Sequence, residues 1–92
     1  MVNEKLPKFL KPFLWSYDFL LLDKERDKKR VITHVLNFGT KKATDWLFGA
    51  YSREEIKDAI KHPLAGEWNR KSINYWSLVL DVTPGSLVRN IS

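Results

Sequence analysis

Helix-start and helix-stop residues divide this chain into short segments, and their spacing constrains the fold more than any other feature. Asp23 and Asn69 each precede a run with apolar residues at helical spacing, where such residues commonly cap a helix. Ser52 and Glu55 fit a capping box, in which each side chain satisfies a backbone N–H of the other residue. Pro63 then ends the helix that begins at Ser52. This spacing predicts a series of helices of roughly 10–15 residues.

Four helices are predicted, with Thr40 as the N-cap of the second and Gly39 as a glycine cap after the first. The β-rich run INYWSLVL in the last helix is compatible with a strand. We predict a helix because its apolar period is nearer 3.6 than 2, and because a lone strand has no partner. The predicted helices cover, in order, residues 24–38, 41–51, 53–62 and 70–81.

The chain is long enough for one domain and too short for two, at 92 residues. Its composition, 43% hydrophobic and 13% aromatic, favours a packed core over disorder. We therefore predict one all-α domain over residues 1–92, a small bundle of about four helices with an irregular N-terminal lead-in. The ordered core is expected at about 6–82, with a frayed tail over 83–92.

The lead-in is predicted from its prolines and from an apolar run that follows them. Pro7 and Pro12 break residues 1–12, although the apolar spacing from Leu6 onward allows a short helical turn. Residues 15–22 are expected to pack on the core as an extended or turn-like segment.

Several classes of protein are excluded or disfavoured by composition. The chain has no Cys, which excludes disulfides, thiolate zinc sites and cysteine catalysis. No signal peptide and no apolar run of the length of a membrane span are present in the sequence. We expect a cytoplasmic protein with no membrane association.

Metal and catalytic motifs are weak in this sequence. His34 and His62 are the only histidines, and their spacing fits no ligand motif, so structural roles and no metal or cofactor are expected. Asp18 lies between apolar residues, where a buried carboxylate needs a hydrogen-bonding or cationic partner. An enzyme with a carboxylate site around Asp18 is the third hypothesis, and we expect no enzyme.

Nucleic-acid binding is suggested by a net charge of +5 and by basic residues near predicted helix starts. The second and third helices have the order of a helix–turn–helix reader. Aligning Gly49 with the turn glycine of that motif puts Asp45 where a small residue is expected, and the third helix opens with two glutamates. Local ion pairing on a solvated face is the alternative. The candidate residues are Lys28, Lys29, Arg30, Lys41, Lys42, Arg70 and Lys71.

Partner binding is suggested by the aromatic residues, because Trp and Tyr are enriched in interface hot spots. Trp68, beside Gly66 in a predicted loop, and Trp15, near the irregular terminus, are candidate exposed anchors, with Tyr75 on the flank of the last helix. The alternative interpretation is that these rings fill the core.

The motifs taken together resemble a family of small uncharacterised bacterial proteins of unknown function. They are PKFLKPFLWSYDF, ATDWLFGAYSREEIKDAI and SINYWSLVL, and the resemblance spans roughly residues 6–82. This chain departs from the pattern at Ser16, where an acid is expected, and at Ser52, where glycine is usual. The matching residues are Trp15, Asp18, Asp23, Trp46, Leu47, Tyr51, Tyr75 and Trp76.

The resemblance implies no reaction. It implies an association with nucleotidyltransferase-type toxin genes, and hence an antitoxin or accessory role. We therefore expect a non-enzymatic module that binds a protein partner, with a small DNA-binding protein as the alternative.

Overall fold

The computed structural model describes residues 6–14, 21–64 and 66–85. Within these ranges the chain is helical and has no strand, which confirms the all-α prediction and the helical state of the INYWSLVL run. The elements are a 3₁₀ helix at Lys8–Leu14, then α1 at Lys28–Phe38, α2 at Lys41–Ala50, α3 at Arg53–Lys61 and α4 at Arg70–Leu80.

The centre of the bundle is α1, since the 3₁₀ helix, α2, α3 and α4 all pack against it. Every residue from 31 to 36 of α1 is buried. Thr33 is a polar residue in this run. Its hydroxyl donates to the Lys29 carbonyl at 2.7 Å, so its burial leaves no unpaired donor. A helix buried on all sides is the expected core of such a small bundle.

The predicted caps of α2, α3 and α4 are confirmed. The Ser52 hydroxyl accepts from the Glu55 N–H at 3.1 Å, and the Glu55 carboxylate accepts from the Ser52 N–H at 2.8 Å. Thr40 accepts from the Ala43 N–H, and the Asn69 side chain accepts from two first-turn N–H groups of α4. These bonds satisfy donors that a helix start otherwise leaves open.

The predicted start of α1 was wrong by four residues. The Asp23 carboxylate accepts from the Glu25 and Arg26 N–H groups, at 3.0 and 2.8 Å, and so holds residues 24–27 in a turn before the helix. Asp27 occupies the N-cap position of α1, without a capping bond from its side chain. Aspartate favours both turns and helix caps for the same reason, and here the turn is formed.

Gly39 ends α1, although it does so in extended backbone with φ −74° and ψ 155°. The glycine is required by space, because a Cβ at this position would lie 2.5 Å from the Val35 carbonyl oxygen and 3.2 Å from the Ala43 Cβ. The predicted glycine stop is therefore correct in place, while its cause is the lack of space between the Val35 carbonyl of α1 and the Ala43 side chain of α2.

The lead-in and the tail are more regular than predicted. Pro12 lies inside the 3₁₀ helix, whose Leu10 and Leu14 side chains are fully buried. At the other end, the Gly85 N–H donates to the Ile60 carbonyl at 3.0 Å, so residues 83–85 are docked on the end of α3. Residues 86–92 of the predicted frayed tail lie outside the described residues.

None of the helices in the described ranges has the length and apolar character needed to cross a bilayer.

Candidate interaction surface

A polar network joins the C-terminal half of α1 to α4 and fixes the position of α4. The Asn37 amide donates to the Glu67 carbonyl at 2.7 Å and accepts from the Asn69 N–H at 3.0 Å. Further along, the Trp76 indole N–H donates to the Leu36 carbonyl at 3.1 Å. These bonds span two turns of α4, so its orientation about its own axis is set by α1.

His34 extends this network, which is the structural role predicted for it. One ring nitrogen lies 3.2 Å from the Phe13 carbonyl oxygen and the other lies 3.1 Å from a Glu67 carboxylate oxygen. The Phe13 carbonyl oxygen can only accept, so the ring nitrogen beside it is the donor. His62 is exposed at the end of α3, 3.8 Å from Asp58. In the described ranges, no three His, Asp or Glu residues lie close enough together to hold a metal ion.

α4 is apolar on two opposite sides. Ile73 and Leu80 point into the core and are each 1% exposed, with half-buried Trp76 beside them. The opposite side carries apolar residues at positions 75, 78 and 79, which follow the helical repeat of three and four residues. We call Tyr75, Leu78 and Val79 the α4 face.

The α4 face is open to solvent. Leu78 is 83% exposed, Tyr75 is 60% exposed and Val79 is 45% exposed. Scattered exposed apolar residues are ordinary on a protein surface, whereas a contiguous set on one helix face marks an interaction site. Because α1 fixes the rotation of α4, a small movement of the helix does not bury these side chains.

A groove lies beside the α4 face. Its volume is about 560 Å³, and Leu78 forms its border with the α4 face. The wall on the other side is the segment that leaves α4 and returns to α3. The lining residues are Asn74, Ser77, Leu78, Asp81, Val82, Thr83 and Pro84.

Opposite charges lie at the two ends of the surface. Arg70 and Lys71 are exposed in the first turn of α4, and Asp81 is exposed at its C-cap. Asp81 adopts the left-handed conformation, with φ 53°, that often ends a helix. α4 therefore has exposed cations at its start and an exposed acid at its end.

The three residues predicted to bind a partner differ in where the structure places them. Tyr75 is exposed on the α4 face and stacks edge-on against Trp76, with ring centroids 5.0 Å apart. Trp68 is only 9% exposed, so the hypothesis of an exposed anchor was wrong for this residue and the ring fills the core. Trp15 lies outside the described residues, as does Asp18.

Leu78 and Val79 were not predicted as contact residues, although a signal for them exists in the sequence. Six of the eight positions from Ile73 to Leu80 are apolar or aromatic, and the exceptions are Asn74 and Ser77. A helix that is apolar on nearly all sides is either buried or covered by something else. α4 is buried on one side only.

The predicted nucleic-acid residues do not share one face. Asn37 places the first turn of α4 at the C-terminal end of α1, near the start of α2, so Lys41, Lys42, Arg70 and Lys71 belong to that end of the bundle. The other three candidates, at 28–30, begin α1 at its opposite end. A helix of 11 residues separates the two groups by roughly 16 Å.

Several of these basic residues have partners within the chain. Lys28 contacts Glu55 at 2.9 Å and Glu25 at 3.9 Å, and the bond to Glu55 raises the pKa of Lys28. Hydrogen bonds from the Ser52 N–H and from Lys28 lower the pKa of Glu55 to about 2. Lys41 pairs with Asp45 at 2.9 Å. The alternative of local ion pairing therefore describes these positions.

α3, the helix in the recognition position of a helix–turn–helix reader, also lacks the expected charge. It carries three basic and three acidic residues, and its buried side packs against α1 and α4. The groove between α1 and α3 is lined by Glu54, Glu55 and Asp58 together with Lys28 and Lys29. This surface is mixed in charge, and it does not favour a polyanion.

Comparison with known proteins places the chain in a family without assigning an activity. No curated protein matches it, and no solved structure matches it. A family model matches residues 9–60, which run from the 3₁₀ helix to the last turn of α3 and exclude α4. The match is shorter than the resemblance inferred from the motifs, and it covers more than half of the chain. The chain belongs to the family of unknown function DUF6922.

Proposed function

We propose that this protein is a non-enzymatic interaction module that binds a protein partner through the α4 face. The observation that carries the proposal is the exposure of Leu78, at 83%, beside the exposed Tyr75 and Val79 on a helix that α1 holds in its orientation. Full burial of one such side chain contributes about 1.5–3 kcal/mol. A partner that covers the face recovers this free energy.

The proposal extends the resemblance noted in the sequence. An antitoxin-like or accessory role beside a nucleotidyltransferase-type toxin, in a bacterial cytoplasm, is one form that partner binding takes. Such a role needs a stable scaffold and an exposed docking surface, and it needs no catalytic group. The bundle centred on α1 supplies the scaffold, and the α4 face supplies the surface.

The test compares the proteins captured from source-cell lysate by three immobilised baits. These are the wild type, Leu78→Glu and Lys61→Glu. The control introduces the same residue, glutamate, at an exposed position of α3 that is outside the α4 face. We expect a partner that the wild type and the control retain and that Leu78→Glu loses. Identical captured proteins for all three baits would contradict the proposal.

Nucleic-acid binding is the second candidate, and one observation favours it. Lys41, Lys42, Arg70 and Lys71 are exposed at one end of the bundle. Against it, the Asn69 side chain already accepts from two first-turn N–H groups of α4, which are donors that a phosphate at a helix start would use.

Fluorescence anisotropy with labelled duplex DNA, duplex RNA and single strands, at about 50 and about 200 mM salt, tests the second candidate. Binding that weakens steeply with salt and with Arg70→Ala would support it, because phosphate contacts release counterions. Absence of binding at the lower salt concentration would reject it. Leu78→Glu serves as the control here, since it leaves every lysine and arginine in place.

A further inference from the structure

We infer that the α4 face binds an acidic segment of a partner protein, whose apolar side chains cover Leu78 and whose carboxylates meet Lys71. This inference rests on the proposed function and names the chemistry of the partner for the same surface. Two observations carry it. Lys71 lies on the exposed side of α4, and within the described part of the chain it has no acidic partner.

Lys71 lies on the same side of α4 as the apolar residues of the α4 face. Tyr75 follows it by four positions and Leu78 by seven, and residues at this spacing share one side of a helix. Lys71 is exposed in the first turn of α4. Seven residues of helix place it about 10 Å along the axis from Leu78. This side of α4 is therefore cationic at its start and apolar beyond it.

The charge of Lys71 is not balanced by the chain itself. Lys41, at the start of α2, pairs with Asp45 at 2.9 Å, whereas no carboxylate of the described residues pairs with the Lys71 ammonium group. An unpaired lysine alone is ordinary on a basic protein, and Lys61 is another example. Lys71 differs from Lys61 because exposed apolar side chains continue from it along the same side of the helix. A partner complementary to both features is apolar and acidic.

The groove beside Leu78 favours a protein segment over other anionic partners. Its volume of about 560 Å³ provides a recess for an apolar side chain of the segment. Asp81 lines the same groove and is exposed, so it would repel an anionic bilayer or a nucleic acid lying along the helix. Those partners are anionic throughout. A polypeptide places its acids at one end only, beside Lys71, and its apolar residues beyond them.

The size of the surface sets the expected affinity. One side of a three-turn helix offers less than the roughly 800 Å² per partner of a standard interface. We therefore expect a dissociation constant on the order of tens of micromolar for an isolated segment. The affinity should fall as salt is raised, because the contact with Lys71 is exposed to solvent.

The test titrates the full chain into three fluorescein-labelled peptides of about five helical turns and follows fluorescence anisotropy. The acidic peptide has leucines at helical spacing, glutamates among them at one end and glutamines elsewhere. The basic peptide replaces each glutamate by lysine. The polar peptide keeps the glutamates and replaces each leucine by serine. We expect the wild type to bind the acidic peptide and to bind the other two much more weakly, since each of them lacks one of the two features.

Charge reversal at Lys71 gives the sharpest comparison. Lys71→Glu should bind the acidic peptide roughly 5–20-fold more weakly than the wild type, because an attraction becomes a repulsion. It should also bind the basic peptide more tightly than the wild type does, a gain that misfolding cannot produce. Lys61→Glu makes the same change in net charge outside the α4 face and should match the wild type. Leu78→Ser, shown to be folded by circular dichroism and urea unfolding, should bind none of the peptides.

Three results would overturn the inference. They are a wild type that does not bind the acidic peptide at about 500 μM, equal affinity for the acidic and basic peptides, and a Lys71→Glu variant that keeps wild-type affinity. Vesicles with about 30% phosphatidylserine and the labelled nucleic acids are tested beside the peptides. Binding to either of these without binding to the acidic peptide would assign the surface to a membrane or to a nucleic acid.

The captured proteins separate this inference from the proposed function. Lys71→Glu is added to the immobilised baits, and it should lose the same protein that Leu78→Glu loses. If Leu78→Glu loses a captured protein that Lys71→Glu retains, the partner covers the apolar side chains without using acids, and only this inference is rejected. If all baits capture the same proteins and the acidic peptide does not bind, both proposals fail.

Discussion

The charged start of α1 and the α4 face are both exposed, and they differ in what their side chains contact. At the start of α1, Lys28 contacts Glu55 and Glu25, and Arg26 contacts Asp27. On the α4 face, Leu78 is 83% exposed, and the charged residues of α4 lie at the two ends of the helix. The charged residues at the start of α1 are paired with acidic residues of the same chain. A high density of charge is therefore a poor guide to function here. An unburied apolar side on a fixed helix is the stronger indication of a binding site.

The two sides of α4 provide the prediction with the largest expected effect. Leu80→Ala removes a side chain that is 1% exposed and should lower the free energy of unfolding by about 2–5 kcal/mol. Leu78→Ala removes the same atoms from the α4 face and should change it by less than about 0.5 kcal/mol. Urea unfolding of dilute protein measures both values. Similar losses for the two variants would mean that Leu78 is covered within the monomer.

The second prediction concerns the capping box of α3, whose Glu55 pairs with Lys28 at the start of α1. Ser52→Ala removes the hydroxyl that accepts from the Glu55 N–H and should lower the free energy of unfolding by about 1 kcal/mol. Ser52→Asn keeps a capping side chain and should lose much less. The same urea experiment measures both. Equal stability of Ser52→Ala and the wild type would show that the cap contributes nothing.

A third prediction uses pH to neutralise the Glu55 carboxylate of the same capping box. The folded-state pKa of Glu55 is lowered from 4.5 to about 2, so its ionised form stabilises the fold above the unfolded pKa. This contribution should disappear as the pH falls from about 4.5 through about 2. The stability difference between wild type and Glu55→Gln should shrink over that interval in thermal unfolding. A difference that stays constant from pH 7 to pH 2 would contradict the lowered pKa.

The smallest expected effect belongs to the ion pair between α1 and α3. A double-mutant cycle with Lys28→Met and Glu55→Gln should give a coupling free energy of about 0.2–1 kcal/mol, since both side chains are partly exposed. The coupling should fall as salt is raised, because exposed charges are screened. Coupling that is independent of salt would place this pair in a drier environment than its exposure indicates.

Local signals in the sequence predicted the elements of this fold well. Ser52 and Asn69 bond to N–H groups within three residues, so their role can be inferred from a short stretch of chain. The exception was Asp23, since a turn and a helix cap use the same acceptor over the same distance. Sequence alone does not decide between two local structures that satisfy the same donors.

The candidate site was harder to predict because burial depends on distant parts of the chain. The burial of Trp68 follows from the tertiary packing, including the bonds of Asn37 to its two neighbours. Its indole N–H is buried and has no hydrogen-bond partner in the described part of the chain, which a pattern of residues cannot foresee. Likewise, the apolar run of α4 does not say which side a neighbouring helix covers. Tyr75 was predicted as a contact residue on the flank of that helix, while Leu78 and Val79 were not predicted as contact residues.

The position of Trp76 also gives the protein an optical reporter beside the α4 face. Its indole is held by the bond to the Leu36 carbonyl, and its ring meets Tyr75 at 5.0 Å. A molecule that covers Tyr75 displaces water next to this indole, which shifts its emission to shorter wavelength. A variant in which Trp46 and Trp68 are phenylalanine, compared with one that also lacks Trp76, would isolate this signal. Occupancy of the face could then be followed in solution without any attached label.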